Sequence, residues 1–472
     1  MIDNFLVNRE IAILNRGKER IVFNPEHVNP IYFPRGGYEA LKILNELRLL
    51  GPINQLAHHE LCSPELFQFF LEHSLISSQS ESMLDTSYCC SKCKCEEKSY
   101  TRSMYLLLSQ SCNQKCIYCL NGRGTYQSNQ KIMMPDEVGL KAVETVLHSI
   151  TSNGRLEIVF FGGEPLLNWD LAKKVIEHCD TQLKPRHPDK IIRYHLTTNL
   201  TLFPSDLIET ALKHSITFLV NIDGPEDIHN ITRPFRNGRG SFRRTAENIR
   251  KLTCAGIEVA MRATVTRHNH HRMLEVTQVH KDLGGIASAF VPLNAVDSDE
   301  FPLPNNLCPS HKEFSQGLTE VYKSGIWPIE KLYPFNEYMG RLTPGSRNNW
   351  GCGAPHGNTP VITADGRIFS CIYLVGIPKF QVGDIHEGDF PKQDVLQMMK
   401  DIADISQDSE CRKCSFRNLC GGGCPVWRFT IAGNPHASED VKTYSREIAC
   451  AVSKTVLTEL LWTMGKEKRE LL

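Results

Sequence analysis

From Thr101 to about Ala295 short apolar runs alternate with longer amphipathic stretches. Met104–Leu108, Leu156–Phe161, Ile192–Leu196, Thr217–Ile222, Val259–Val265 and Ala287–Leu293 read as strands. Between them the spacing predicts helices over Pro135–Ser149, Trp169–Cys179, Ser205–His214, Thr245–Ala255 and Met273–Leu283, with Pro135 at the first turn of the first. Six strands alternating with helices predict an α/β fold with a parallel sheet, which right-handed crossovers curl toward a barrel. In such sheets the chemistry sits beyond the carboxyl ends of the strands.

Residues 1–80 read as a separate unit. Ile11–Leu14, Arg20–Phe23 and Pro30–Phe33 predict strands, and Leu41, Leu44, Leu47, then Leu66, Phe67, Phe70, Leu71, mark helices. Ser63 before Pro64 and Glu65 is a helix start. Strands followed by helices give a winged-helix-like arrangement, similar to the leader-peptide recognition domains of peptide-modifying enzymes. The other reading is a plain folded extension. An exposed strand edge there suits addition of an extended peptide. The seven basic and nine acidic side chains of residues 1–80 argue against DNA binding, which needs phosphate-neutralising charge.

Composition narrows the classes. The 472 residues are enough for two or three domains, and 53 basic against 53 acidic side chains favour neither nucleic acid nor a membrane surface. No apolar run approaches the ~18–20 residues that cross a bilayer, and no signal peptide is evident. Eighteen cysteines then point to metal ligation in a reducing cytoplasm rather than to disulfides. Four of them, Cys89, Cys90, Cys93 and Cys95, lie in a polar stretch over 81–100 that reads as a linker; a metal site there and donation of one thiol to a cluster elsewhere are the other readings.

The chemistry starts after the first barrel strand. Cys112, Cys116 and Cys119, with Tyr118 beside the last, have Cys-x3-Cys-x2-Cys spacing. Three thiolates cannot complete a tetrahedral zinc site, but they can hold three irons of a [4Fe–4S] cube and leave the fourth open. This resembles the signature loop of the radical SAM enzymes. The resemblance implies a partial (β/α)6 barrel over 101–300 and S-adenosylmethionine chelating the open iron. Its reductive cleavage would give a 5′-deoxyadenosyl radical, with a flavodoxin or ferredoxin as one-electron reductant.

Further motifs at strand ends carry the same resemblance. Gly162-Gly163-Glu164 looks like the turn that receives the methionyl amino group. Asn199, Asn221 and Asp223 end strands three and four, where short polar side chains reach ribose hydroxyls and the carboxylate; Asn221 stands where relatives often have Ser. Arg233, ten residues after Asp223, takes the place of the arginine that pairs with the cofactor carboxylate. Tyr118 is expected against the adenine. Arg262 points either to the cofactor or to a salt bridge.

A bridging region (301–350) leads to a cysteine-rich segment (351–455) and a C-terminal helix (456–472). Its thiols are Cys352, Cys371, Cys411, Cys414, Cys420, Cys424 and Cys450. Cys-x2-Cys pairs also chelate zinc, so a zinc ribbon is the competing reading. The seven-cysteine order resembles the SPASM domain of radical SAM peptide modifiers. That implies two auxiliary Fe–S clusters, of [4Fe–4S] type: a proximal one on Cys352, Cys371 and Cys424, and a distal one on Cys411, Cys414, Cys420 and Cys450. Some relatives add a proximal ligand where this chain has Asn358. The proximal cluster then either keeps an open iron or recruits His356, Cys308 or a linker cysteine.

Taken together, the resemblance implies a maturase that installs a thioether or carbon–carbon crosslink in a ribosomally made peptide bearing a leader. Sulfatase-maturing enzymes share both domains. They place an Asp beside the second of these cysteines, where this chain has Cys371-Ile372-Tyr373, and they lack the N-terminal unit. From another class, a zinc-stabilised peptide-binding module fits the cysteines. No residue stands out as general base.

Overall fold

The structure, a computed structural model, describes residues 4–7, 11–17, 19–25, 28, 30–33, 38–50, 53–54, 63–78, 101–119, 132–293, 305–342, 352–388, 390–433 and 437–469. The linker cysteines Cys89, Cys90, Cys93 and Cys95 lie outside the described residues.

All six barrel strands form, with ends shifted by a few residues. After β1 Asn4–Val7, β2 Ala12–Arg16, β3 Glu19–Phe23, β4 Ile31–Phe33, β5 Ile53–Asn54 and β6 Ile76–Ser78, they are β7 Thr101–Ser109, β8 Arg155–Gly162, β9 Ile191–Thr198, β10 Thr217–Asn221, β11 Val259–Val265 and β12 Ala287–Pro292. They pair in parallel and in chain order. The sheet does not close on itself. β12 pairs with β13 Leu332–Tyr333, while β7 takes β14 Val361–Ile362 in parallel. Antiparallel β15 Arg367–Phe369 and β16 Gln381–Asp384 follow, making one ten-stranded sheet. The barrel therefore runs directly into the cysteine-rich segment through backbone hydrogen bonds.

Side-chain period explains why one face stays usable. On β11, Val259, Met261, Ala263 and Val265 are buried beneath helices, whereas Ala260, Arg262 and Thr264 are only half-buried. β12 alternates likewise, with Ala287, Ala289 and Val291 on the accessible face. The outer face packs on amphipathic helices such as Asp136–His148, whose Val138, Ala142, Val143 and Val146 are buried. Each fully buried aliphatic side chain contributes roughly 1.5–3 kcal/mol of transfer free energy. Small residues on the inner face leave the interior open.

The three expected N-terminal strands form as β2, β3 and β4, and the region adds a second sheet that the sequence did not announce. Its described residues form two three-stranded antiparallel sheets, β5-β1-β6 and β2-β3-β4, with helices Tyr38–Leu50 and Pro64–Glu72. Ser63 caps the second helix by accepting from the Leu66 N–H at 3.2 Å, as its sequence start predicted. The C-terminal helix expected from 456 begins at Glu439 and runs to Arg469. Ala12, Ile21 and Phe23 share a core with its Ile448, Val456 and Leu460. Gly465 permits this approach: a Cβ there would stand 2.5 Å from Ile21 Cδ1. Among the described residues, no helix is long and apolar enough to cross a membrane.

Candidate active site

The cysteine loop follows β7 and is fastened to the turn after β8. Gly163 N–H donates to Ser109 O at 2.7 Å and Glu164 N–H to Ser111 O at 2.9 Å. Gly162 sits at φ +134°, and a Cβ there would meet Ser109 O at 2.3 Å. Only glycine fits both the conformation and the contact. Gly162→Ala should therefore cost about 2–5 kcal/mol, from strain plus overpacking, and unseat the cysteine loop. Urea unfolding measures this; an unchanged midpoint would refute the tight apposition.

Glu164 is fully buried and accepts from Leu166 N–H (3.0 Å), Thr198 Oγ1–H (2.6 Å) and Asn199 N–H (2.8 Å). Burial raises its pKa, and these hydrogen bonds oppose the rise. Its carboxylate thus ties the β8 turn to the end of β9, where an incoming ammonium was the expected partner. Asn199 continues the link. Its Nδ2 donates to Asn113 Oδ1 at 2.9 Å and approaches Cys112 Sγ at 3.7 Å, and its Oδ1 accepts from Thr201 Oγ1–H at 2.6 Å. Asn113 and Thr201 are site neighbours that the sequence reading missed; being short polar residues in loops, they carried no signal of their own.

A second network holds Arg233. Asp223 Oδ2 accepts from Tyr118 OH at 2.6 Å and from Thr232 Oγ1–H at 2.8 Å, and Asp223 Oδ1 accepts from Thr264 N–H at 3.1 Å. Arg233 Nη1–H donates to the same Tyr118 oxygen at 2.5 Å. Burial acts against the Arg233 charge, but Cys116, Tyr118 and Asp223 outweigh it and raise its pKa. Its Nε, buried, has no hydrogen-bond partner among the described residues. His229 completes the frame: Nδ1 accepts from Asp223 N–H at 3.3 Å, so Nε2 carries the proton toward Ser241 Oγ at 3.1 Å. Ser241 Oγ–H then donates to Arg233 O at 2.6 Å. Burial and Arg233 keep His229 neutral. The Tyr118 ring packs with Leu293, Cys308 and Val441. Its hydroxyl is committed to Asp223 and Arg233, so it orients the arginine. Asn221, at the end of β10, is half-buried and lies in register with Arg262.

The thiols influence one another in three sets. Cys112 is pushed up by burial, Glu164 and Cys116, with Cys119 adding; Cys116 is pushed up to about 12 by burial, against the pull of Arg233. Burial, Cys352 and Cys424 push Cys371 up, and Cys424 rises to about 12 through burial and Cys352. Cys411 rises to about 11 through burial and Asp408, and Cys450 is raised by burial, Cys420 and Cys414. All these cysteines are free and half-buried. Among the described residues no three Cys, His, Asp or Glu side chains are gathered around a single-ion position. One tetrahedral zinc needs sulfurs ~3.8 Å apart. A cube takes one thiolate at each corner and spaces its ligands more widely. Cys308 stands with Cys116 and Tyr118, apart from Cys352, Cys371 and Cys424.

Arg262 forms no salt bridge among the described residues. Its Nη2–H donates to Tyr373 OH at 3.2 Å, and its Nε is buried without a partner among the described residues. Tyr105 on β7 is pushed up to about 12 by burial and by Cys371, and Cys424 contributes to raising Tyr333. Half-buried Tyr105, Tyr373 and Arg262 thus stand beside the Cys352–Cys371–Cys424 set, whereas Tyr333 is exposed. The sequence reading passed over Tyr105 and Tyr333; strand parity, with Tyr105 alternating against buried Met104 and Leu106, was the available signal.

Comparison with known proteins adds to this geometry. Residues 106–278 match the Radical SAM superfamily. The chain is 25% identical over 334 residues to a cysteine-type anaerobic sulfatase-maturating enzyme of Clostridium perfringens, covering 67% of this chain and 86% of that one. Native anSMEcpe with bound AdoMet superposes with a TM-score of 0.60 at 20% identity, covering 77% of this chain and 99% of that one. Streptococcus suis SuiB bound to precursor peptide SuiA gives 0.51 at 14% identity, covering 89% and 96%.

Proposed function

The chain carries a radical SAM domain, and from that premise we propose that it is a maturase which modifies a ribosomally made peptide. The observation that carries this reading is the buried Arg233, whose Nε is unpartnered, beside a three-thiol loop at the mouth of an open barrel. Cys112, Cys116 and Cys119 would hold the cube, and the orphaned Arg233 donor and the close Gly162 turn fit the carboxylate and ammonium of S-adenosylmethionine. When bound, that pair supplies a 5′-deoxyadenosyl radical able to abstract hydrogen from an unactivated carbon.

The chain's own residues do the positioning. Asp223, Tyr118, His229 and Ser241 fix the Arg233 fork, while Glu164 and Asn199 fix the turn against the cysteine loop. Small Ala260, Ala287 and Ala289 on the inner face leave space for a substrate side chain beside Tyr373 and Arg262. Residues 1–80 would hold the leader at an open sheet edge. Cys352, Cys371 and Cys424, with Cys411, Cys414, Cys420 and Cys450, would hold two auxiliary clusters that accept the leftover electron as a thioether or carbon–carbon bond closes.

Sulfatase maturation is the second reading, favoured by the Clostridium relative. Against it, Cys371-Ile372-Tyr373 offers no carboxylate where those enzymes carry an acidic base, and Tyr373 OH accepts from Arg262. Anaerobically purified protein should be brown with roughly 8–12 irons and little zinc, and should form 5′-deoxyadenosine under reduction. Colourless zinc protein would instead support a binding module. Mass spectrometry after co-expression with a precursor peptide, or with a sulfatase, decides between the two substrates.

A further inference from the structure

Asn113, Gln114 and Lys115 stand between the first two cysteines of the loop. Lys115 is exposed and Asn113 half-buried, but Gln114 is only 1% exposed. A glutamine is seldom buried so completely, and when it is, its donors and acceptor are normally met. The backbone explains how it comes to lie inside. Gln114 forms an antiparallel bridge with Phe235, while Arg236 N–H donates to Asn113 O at 3.2 Å and Lys115 N–H to Pro234 O at 2.8 Å. The loop is thus pinned to residues 234–236, with Gln114 turned inward and Lys115 outward. Inside, Gln114 meets sulfur. Its backbone N–H donates to Cys112 Sγ at 3.4 Å, and Cys116 Sγ–H approaches its Oε1 at 3.7 Å. Its Nε2 is buried and has no hydrogen-bond partner among the described residues. A thiol can donate to Oε1, but a thiolate ligand has no proton left to donate and becomes an acceptor. Half a turn about the last torsion of Gln114 then exchanges Oε1 for Nε2 and aims an N–H at Cys116 Sγ, with the backbone unmoved.

We propose that Gln114 is a positioning residue of the cysteine loop, its side-chain amide donating to the Cys116 sulfur once that sulfur is an iron ligand. The proposal rests on the radical SAM reading of the loop and goes beyond it, since the cysteine spacing says nothing of what stands between the ligands. Reduction by one electron adds one negative charge to the cube and its sulfurs, with no bond made or broken. An N–H aimed at a ligand sulfur stabilises that added charge, so Gln114 raises the midpoint potential of the couple. Cys112 already has such donors, in Gln114 N–H and in Asn199 Nδ2–H at 3.7 Å. The Gln114 amide extends the same treatment to Cys116, and a leucine of similar size would not.

The test is Gln114→Leu in reconstituted full-length protein, which removes the amide and keeps most of the buried volume. The EPR signal that S-adenosylmethionine perturbs marks the loop's cube among the clusters, and its reduction is then titrated without the cofactor. At equal iron content the variant should hold a reduced-to-oxidised ratio about tenfold lower at a given potential, a midpoint about 60 mV lower for one electron. In the natural protein carrying 15N in its glutamine side-chain amides, pulsed EPR of the reduced cube should show coupling to the label, and Gln114→Leu should lose it. Should the variant fail to hold iron, the label in the natural protein decides alone. Equal midpoints, or no coupling to the label, overturn the proposal. So does a coupling that arises only with S-adenosylmethionine, since the amide would then serve the cofactor. If no signal responds to S-adenosylmethionine in the natural protein, the radical SAM reading fails, an outcome distinct from an unchanged midpoint.

Discussion

Replacing Cys112, Cys116 and Cys119 together by Ala should abolish formation of 5′-deoxyadenosine, whereas Cys411→Ala should spare part of it. The first change removes all three proposed ligands of the cube at once, and the loop has no other described thiol, although Cys308 packs beside Cys116 and Tyr118. Buried thiols that burial holds protonated become ligands only where a cation draws off the proton, so a lone surviving sulfur gains little affinity. Cys411 belongs to a different set, with Cys414, Cys420 and Cys450. Its loss should uncouple cofactor cleavage from peptide modification. Iron content and 5′-deoxyadenosine measured on the same samples check this. Equal loss in both variants would contradict the separation of roles.

Arg233→Gln should weaken S-adenosylmethionine binding by about 30- to 1000-fold, the equivalent of roughly 2–4 kcal/mol for a desolvated charge contact. The same change strips Asp223 and Tyr118 of their buried cation, and removing one member of such a set costs about 3–5 kcal/mol of stability. Two readouts keep these effects apart: equilibrium dialysis with the cofactor, and urea unfolding without it. Arg233→Lys retains the charge without the planar fork, so it should recover more stability than affinity. A variant that binds the cofactor as well as the natural protein would remove Arg233 from the site.

Much of the site could be read from order along the chain because each motif is local. Gly162, Gly163 and Glu164 follow one strand, and Asp223 to Arg233 follow another, so their proximity is inherited from a parallel sheet whose strand ends gather on one rim. What each side chain does there could not be read. Glu164 and Tyr118 also engage Thr198, Asn199, Asp223 and Arg233, partners that their residue types did not name. A buried carboxylate or phenol must find donors or acceptors, and those come from segments far along the chain. Arg262 was undecidable for the same reason, since its partner Tyr373 is 111 positions away.

By itself the sequence determined the six barrel strands, their parallel order and the cysteine loop, because strand period, crossover handedness and the short Cys112–Cys119 spacing are all local rules. Tertiary structure alone decided that β14 extends the sheet from β7, that the N-terminal sheet packs on the helix Glu439–Arg469, and that Tyr373 meets Arg262. Short strands of two or three residues carry too little periodicity to announce their partners. Contacts between distant segments depend on which surfaces remain uncovered once the local elements have formed.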